Sequence, residues 1–333
     1  MNSVKKWVDP FIVGLVLMLI LGLTIPVSSG VLDVLSTVGT LLVGLLFFLY
    51  GARLATAEVL RALSNWRLQG AMLVCTFVIF PLLGIVVSRL VEPWIGLGFA
   101  AGILYLSLLP STIQSAVVFV SVARGNVAGA ISGSTASNIL ALFLTPVLVM
   151  FLMPDVVYDV ASGAEAAAGS VGLDRMLTVL YGLLLPFIVG QLVQPWIGQW
   201  VRSRKMLTTG VDRGTILFLV LTAVASATAA GTWVGLSVWT IVALVGIAAA
   251  LLTIMLHVTW FGGKLIGLGW QDRIALLDCG STKSLATGLP MAGVLLPAAL
   301  LGAVAVPLIL FHQIQLITCS IIARRLATKQ DGN

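Results

Sequence analysis

The sequence predicts an all-α polytopic membrane protein with ten transmembrane helices in two inverted five-helix repeats, of which the fourth and ninth helices are interrupted. Of its 333 residues, 59% are hydrophobic and 9% are charged, with a mean hydropathy of +1.13. Soluble proteins carry about 25% charged residues. Ten apolar runs of spanning length predict the number of helices, and short motifs that recur in both halves predict the two repeats.

Each apolar run is at least close to the roughly 20 residues that a helix needs to cross a bilayer. The runs are predicted to be helical because lipid offers the backbone no hydrogen-bond partners. In chain order they cover residues 8–28, 32–52, 68–90, 95–123, 127–153, 174–200, 213–231, 235–263, 271–295 and 298–322.

Two segments are unsuited to a single straight crossing. The fourth lies in an uncharged run from Trp94 to Ala123, which is longer than one crossing requires and contains Pro110. The ninth contains Gly280 and Pro290, which weaken a continuous helix. We therefore expect both segments to be broken within the membrane, a feature typical of transporter binding sites.

Asp278 and Lys283 place two ionisable side chains in the ninth segment. No formal charge occurs between Arg213 and Lys264, and none occurs between Lys283 and Arg324. An ionisable group at mid-membrane costs at least about 2.5–3.5 kcal/mol and usually marks a pathway. On one continuous helix the two side chains would lie about 140° apart and could not pair. Lys283 could pair with Asp278 across a break, balance an anionic substrate, or occupy the space of a coupling cation.

Motifs repeat between the two halves at similar offsets. Residues 10–14 (PFIVG) recur at 186–190, residues 39–42 (GTLL) at 214–217 (GTIL), and residues 109–112 (LPST) more loosely at 280–282 (GST). Five helices per repeat is an odd number, so the second repeat must be inverted. The predicted organisation is a first repeat at 1–153, an extracytoplasmic linker at 154–173, a second repeat at 174–325 and a cytoplasmic tail at 326–333.

Lysine and arginine placement predicts the orientation in a bacterial inner membrane. With the N-terminus inside, fifteen lysines and arginines fall on the cytoplasmic side, among them Lys5, Lys6 and Arg61, whereas the outer side receives only Arg89 and Arg175. Both termini are therefore expected to be cytoplasmic.

Polar side chains gather in the fourth, fifth and ninth segments. The fourth reads LPSTIQS at 109–115 and the fifth SGSTASN at 132–138. Hydroxyl and amide oxygens with one carboxylate suit a hard alkali cation, whereas soft ligands would indicate a transition metal. The structural alternative is that these small polar residues join packed helices. His257 and His312 are interpreted as packed or interface histidines, with a proton relay as the alternative.

Several function classes find no support in the sequence. No zinc, P-loop or dinucleotide motif is present, and no nucleophile and base pair stands out, so we expect neither an enzyme nor a resident cofactor. The basic residues are scattered through short loops, which does not indicate nucleic-acid binding.

The residues at 123–128 (ARGNVA), Thr145-Pro146 and 278–284 (DCGSTKS), with the order and number of segments, resemble the bile acid:sodium symporter family, and more closely its divergent bacterial branch. The resemblance covers nearly the whole chain. It implies a panel domain of segments 1, 2, 6 and 7, and a core domain in which the broken fourth and ninth helices cross.

The resemblance also implies site residues. A first sodium site would use Gln114, Ser115, Ser134, Asn138 and Asp278, with Asp278 as the tentative metal ligand. A second would use Asp278, Cys279, Ser281, Thr282 and Thr76. Substrate contacts would come from Thr112, Lys283 and Ser284.

The chain departs from the family pattern within the second site. Its acid is Asp rather than Glu, two glutamine positions are Thr, and a position usually Asn is Lys283. An ammonium about 4–5 Å from a cation would repel it by on the order of 3–4 kcal/mol at an effective dielectric of about 20. We therefore expect this site to be weakened or absent, with Lys283 as a built-in cation or proton carrier.

The function that we expect is secondary active transport: symport of a small organic anion with sodium or protons by alternating access. Half-helix N-termini at the breaks would favour an anionic group. The alternatives are a cation/proton antiporter and a non-transporting membrane regulator.

Overall fold

A computed structural model describes residues 10–25, 27–53, 65–154, 171–229, 231 and 237–331, and all regular structure within them is helical. The helices are α1 (Pro10–Thr24), α2 (Ser29–Arg53), α3 (Trp66–Ile95), α4 (Leu97–Ser107), α5 (Gln114–Val122), α6 (Val127–Leu152), α7 (Val171–Ser203), α8 (Lys205–Ala229), α9 (Val238–Leu265), α10 (Trp270–Ser281), α11 (Leu285–Leu295) and α12 (Ala298–Asp331).

The predicted membrane class is confirmed by the length and composition of these helices. Seven of them contain apolar stretches long enough to cross a bilayer, in α2, α3, α6, α7, α8, α9 and α12. Shorter apolar helices occur at Val13–Thr24 and Leu97–Ser107. The protein is therefore a multi-pass membrane protein, and the count of ten crossings and the inverted repeat stay predictions.

Both predicted helix interruptions are confirmed. The fourth segment is divided into α4 and α5 by the non-helical residues 108–113, which include Pro110. The ninth segment is divided into α10 and α11 by the non-helical residues 282–284, of which Thr282 is extended. In both segments the chain leaves the helix at the polar motif, so backbone groups that a helix would satisfy must find other partners.

Helix α3 contains an irregularity that the sequence prediction missed. It begins after Asn65, whose side chain accepts a hydrogen bond from the Leu68 amide at 3.4 Å. Residues Cys75–Ile79 form a π-helical turn, in which the Phe80 amide bonds to the Cys75 carbonyl. Pro81 follows directly and has no amide hydrogen.

The chain divides into two compact units. Unit 1 contains α1, α2, α7, α8 and residues 289–305, and unit 2 contains α3–α6, α9, α10, residues 285–288 and residues 306–331. Unit 1 thus holds the four segments that the family resemblance assigns to the panel domain. The repeat boundaries predicted from sequence stay a prediction.

Close backbone contact between α2 and α7 characterises unit 1. A Cβ added to Gly51 would overlap the Phe187 carbonyl oxygen, and one added to Gly190 would overlap the Phe48 carbonyl oxygen. Helix α1 packs along α8 in the same unit. Arg53 Nη1 forms an ion pair with Asp212 Oδ2 at 3.0 Å.

Asp272, in the first turn of α10, links three helices at one end of unit 2. Its carboxylate accepts hydrogen bonds from Asn65 Nδ2 at 3.1 Å and Asn126 Nδ2 at 2.7 Å. Asn126 Oδ1 in turn accepts from the Gly129 amide at 2.8 Å and so caps α6. One acid thus connects the N-terminal ends of α3, α6 and α10.

Some predictions fall outside the described residues. These are the orienting residues Lys5, Lys6 and Arg61 and nearly all of the linker predicted at 154–173. At the other end of the chain, α12 continues to Asp331, into the residues predicted as a tail.

Candidate functional site

The two helix interruptions of unit 2 contact each other directly. The Ser284 amide donates a hydrogen bond to the Pro110 carbonyl at 2.9 Å. The Thr282 hydroxyl lies 3.5 Å from the Ser111 hydroxyl and 3.3 Å from the Thr112 hydroxyl. All five residues are buried. The break in the fourth segment and the break in the ninth segment therefore form one polar site.

A hydrogen-bond network extends this site to α6 and α11. Asn138 on α6 donates to the Ser111 carbonyl at 2.8 Å and the Ser134 carbonyl at 2.9 Å, and its Oδ1 accepts from the Thr287 hydroxyl at 2.7 Å. Thr287 Oγ1 also accepts from Ser284 Oγ at 3.1 Å. The amide of Asn138 thus bridges both interruptions through its donor and acceptor sides.

The first break also uses hydroxyl groups to satisfy its backbone. Thr145 Oγ1 on α6 donates to the Leu108 carbonyl at 2.8 Å, and Ser137 Oγ accepts from the Ser111 amide at 3.2 Å. Buried backbone groups left without partners would cost about 1–3 kcal/mol each. These side chains are therefore what allows a non-helical segment to lie inside the protein at membrane depth.

Lys283 lies at the second break and is fully buried. Its Nζ donates to the carbonyl oxygens of Thr76 at 3.0 Å, Ser107 at 2.8 Å and Leu109 at 2.7 Å. We call these three oxygens the carbonyl cage. Nζ also lies 4.2 Å from the centre of the Phe80 ring, a distance suited to a cation–π interaction.

The geometry of the cage suits the charged form of the side chain. Three acceptors surround Nζ, and only an ammonium has three N–H donors. Within the described chain, no ion pair of 4 Å or less connects Lys283 to Asp278. The pairing across the break that the sequence left open is therefore absent, and carbonyl dipoles take the place of a carboxylate.

Gln315 on α12 holds the backbone of Lys283. Its Oε1 accepts from the Lys283 amide at 2.8 Å and its Nε2 donates to the Lys283 carbonyl at 2.8 Å. Nε2 also lies 2.9 Å from His312 Nδ1, which can accept from it. The glutamine amide replaces the two backbone partners that Lys283 loses where the helix is interrupted.

Asp278 lies on α10, one turn before the break, and its side chain is almost completely buried. Cys319 of α12 lines the same pocket as this carboxylate, and among the residues that the structure describes Asp278 Oδ2 has no hydrogen-bond partner. The carboxylate lines a pocket with mainly apolar neighbours: Phe119, Val120, Ala123, Leu256, Ile274, Leu277, Cys319, Ile322, Ala323 and Leu326. A buried acceptor without a partner is an available ligand for a proton or cation.

The residues predicted for the site fall into four places. Six of them belong to the network: Ser115, Ser134, Asn138, Thr282, Thr112 and Ser284. Ser115 joins it through Thr112 at 2.7 Å, and Ser134 joins it through its carbonyl, which accepts from Asn138 at 2.9 Å. Thr76 and Lys283 belong to the carbonyl cage, and Asp278 contributes its main-chain oxygen to Thr282 at 2.9 Å while its carboxylate lies in the pocket. Gln114 begins α5 with an exposed side chain. The roles assigned to these residues stay predictions.

Sequence reasoning missed Gln315, Thr287, Phe80 and Tyr105, whose hydroxyl donates to the Gly288 carbonyl at 2.7 Å. It also selected Thr76 for its side chain, whereas the structure uses its carbonyl oxygen. An amide in the apolar tenth segment was the available signal for Gln315. The other residues have types that are common in any membrane helix.

Interrupted helices that meet in a buried polar network, within an apolar multi-pass helical fold, define the chain as a membrane transporter. The chain belongs to the SBF-like CPA transporter family, whose sequence model matches residues 9–328.

Several known proteins are similar to this chain over nearly its whole length. A Pseudomonas aeruginosa protein, PA2026, is 38% identical over 97% of this chain and 94% of its own length. The Escherichia coli protein named "Putative symporter YfeH" is 36% identical over 95% of this chain and 92% of its own. The Xenopus laevis sodium/bile acid cotransporter 7-A is 26% identical over 96% of this chain and 90% of its own length.

Proposed function

We propose that this protein is a secondary active transporter that moves a small organic anion together with a cation, sodium or proton, by alternating access. The observation that carries the proposal is the contact between the two helix interruptions in unit 2, where Ser284 bonds to Pro110. Discontinuous helices at membrane depth are the usual location of substrate and ion sites in such transporters.

The helix ends favour an anionic substrate. Helix α5 begins at Gln114 and α11 begins at Leu285, each directly after an interruption. A helix N-terminus carries roughly half a positive elementary charge, and Ser284 and Thr112 present hydroxyl groups beside these two ends. An anionic group is the ligand that suits this arrangement, which supports the substrate role proposed for Thr112 and Ser284.

The carboxylate of Asp278 is our candidate for the coupling group. It is buried, one of its oxygens lacks a hydrogen-bond partner within the described part of the chain, and it belongs to the helix that ends at the interruption. A cation or proton that binds there would offset the cost of the buried charge. The names of the relatives, symporter and sodium/bile acid cotransporter, support coupling of this kind.

Flux measurements with the purified full-length protein in liposomes test the proposal. The probes are labelled carboxylates and sulfonates from acetate to taurocholate in size, each under an imposed sodium gradient or proton gradient. We expect uptake above that of empty liposomes for at least one size class, and only with a cation gradient. Proton exchange for sodium without any anion would instead support an antiporter, and absence of all flux would support a regulator.

Asp278→Asn tests the coupling role within the same assay. Loss of one charge-assisted contact of about 1.5–3 kcal/mol should reduce the stimulation by the cation gradient about 10- to 100-fold. The matched control is Asp33→Asn, because Asp33 is exposed on α2. Stimulation that is equal in Asp278→Asn and the unsubstituted protein would exclude this acid as the coupling group.

We also propose that the protein lies in a bacterial inner membrane with both termini cytoplasmic, which the basic residues on the predicted cytoplasmic side support.

A further inference from the structure

Two local irregularities free the carbonyl oxygens that surround Lys283. In a regular α-helix the Thr76 oxygen would accept from the Phe80 amide, but that amide bonds to Cys75 in the π-helical turn. The next residue that could donate is Pro81, which has no amide hydrogen. The Thr76 oxygen therefore has no helical partner and turns to the Lys283 ammonium.

The oxygens of Ser107 and Leu109 are freed by the end of α4. Helix α4 ends at Ser107, and the Ser111 amide, four residues later, bonds to the Ser137 hydroxyl instead. Leu109 lies in the interruption before Pro110. The C-terminal end of a helix carries partial negative charge, so both oxygens attract a cation.

Converging backbone oxygens of this kind are the ligands that hard cations prefer. Alkali and alkaline-earth cations bind carbonyl and other oxygen ligands, and rings of backbone carbonyls replace the hydration shell of alkali cations in channels. The Phe80 ring adds a further cation-attracting face. The carbonyl cage is therefore a cation site by its chemistry, and its occupant in this chain is a side-chain ammonium.

We propose that the carbonyl cage is a latent alkali-cation site, which this chain keeps closed with the Lys283 ammonium as a fixed charge that is not transported. The inference deepens the proposed function, because it removes one exchangeable cation from the transport cycle. Its test needs neither a known substrate nor a transport assay, because the occupancy of the cage is a property of the resting protein.

The test compares two kinds of variant that both lack the ammonium. One leaves space for an ion in the cage and the other does not. Lys283→Ala removes the charge and the chain that fills the cage, so the three oxygens and the space become available. Lys283→Met removes the charge but keeps a long unbranched side chain in the same place. The two variants share the loss of charge and differ in room for an ion.

Purified full-length proteins are compared in sodium chloride and in choline chloride of equal ionic strength, by thermal unfolding and by equilibrium binding of ²²Na⁺. For Lys283→Ala we expect sodium-specific binding and a rise in melting temperature on the order of 2–4 °C when sodium exceeds its dissociation constant several-fold. For the unsubstituted protein and Lys283→Met we expect no additional sodium site and no difference between the two salts beyond that shared by all three proteins.

Lys283→Asn is the second open variant and uses a smaller polar side chain. Equal sodium binding by Lys283→Ala, Lys283→Met and the unsubstituted protein would overturn the proposal. The proposal also fails if both open variants remain unfolded in sodium while Lys283→Met folds, because sodium should then have replaced the ammonium. Absence of flux in the unsubstituted protein would contradict the transport proposal alone and leave these measurements unaffected.

Discussion

Replacing Gln315 by leucine should destabilise the protein at the break of the ninth segment. The glutamine side chain accepts from the Lys283 amide and donates to the Lys283 carbonyl, both at 2.8 Å. It is 1% exposed, so water cannot replace the two bonds. Leucine fills a similar volume without either polar group, and the substitution therefore isolates the loss of hydrogen bonding.

The magnitude follows from the two groups that lose their partners. Each buried backbone group left unsatisfied costs about 1–3 kcal/mol, so Gln315→Leu should lower the free energy of unfolding by about 2–6 kcal/mol. Gln315→Glu keeps an acceptor for the Lys283 amide and loses the donor to its carbonyl. Its effect on that backbone should be about half as large, on the order of 1–3 kcal/mol.

Thermal and denaturant unfolding of the purified protein in detergent measure these differences, and hydrogen exchange at the Lys283 and Ser284 amides locates them. The matched control is Gln313→Leu on the same helix, at a partly exposed position, where we expect a change within about 0.5 kcal/mol. If Gln315→Leu were no less stable than Gln313→Leu, or if amide exchange at Lys283 were unchanged, the glutamine would not be the partner of this backbone.

Two further outcomes are expected in the same unfolding assay. Gly51→Ala should lower the free energy of unfolding by about 1–3 kcal/mol because the added Cβ overlaps the Phe187 carbonyl. The control Gly214→Ala has no atom within 4 Å of the added Cβ, so its stability should be unchanged or higher by about 0.5–1 kcal/mol. Equal effects of the two substitutions would contradict the close α2–α7 contact. Asp272→Ala should lower the free energy of unfolding by about 1–3 kcal/mol. It should also increase hydrogen exchange at the N-terminus of α6, because Asn126, which caps that helix, loses its bond to the carboxylate. Unchanged exchange there would show that the cap does not depend on the carboxylate.

The sequence by itself determined the class of the protein and the location of both helix interruptions. Lipid leaves a spanning chain no choice but internal hydrogen bonding, so apolar length predicts helices directly. Pro110 lies in an apolar run longer than one crossing, and charged residues flank Gly280 in the ninth segment. Both are local signals that the helix is interrupted there. Local signals of this kind act within a few residues, and they are readable without any knowledge of packing.

Only the tertiary structure decided which atoms form the site. Asp278 and Lys283 are five positions apart, yet the ammonium bonds to carbonyls at Thr76, Ser107 and Leu109, up to 207 positions away. The partner of a long flexible side chain depends on which helices pack beside it, and a π-helical turn decides that the Thr76 oxygen is free. Contacts between distant segments follow from packing, because residue types that join helices in one place are chemically the same as those that bind ions in another.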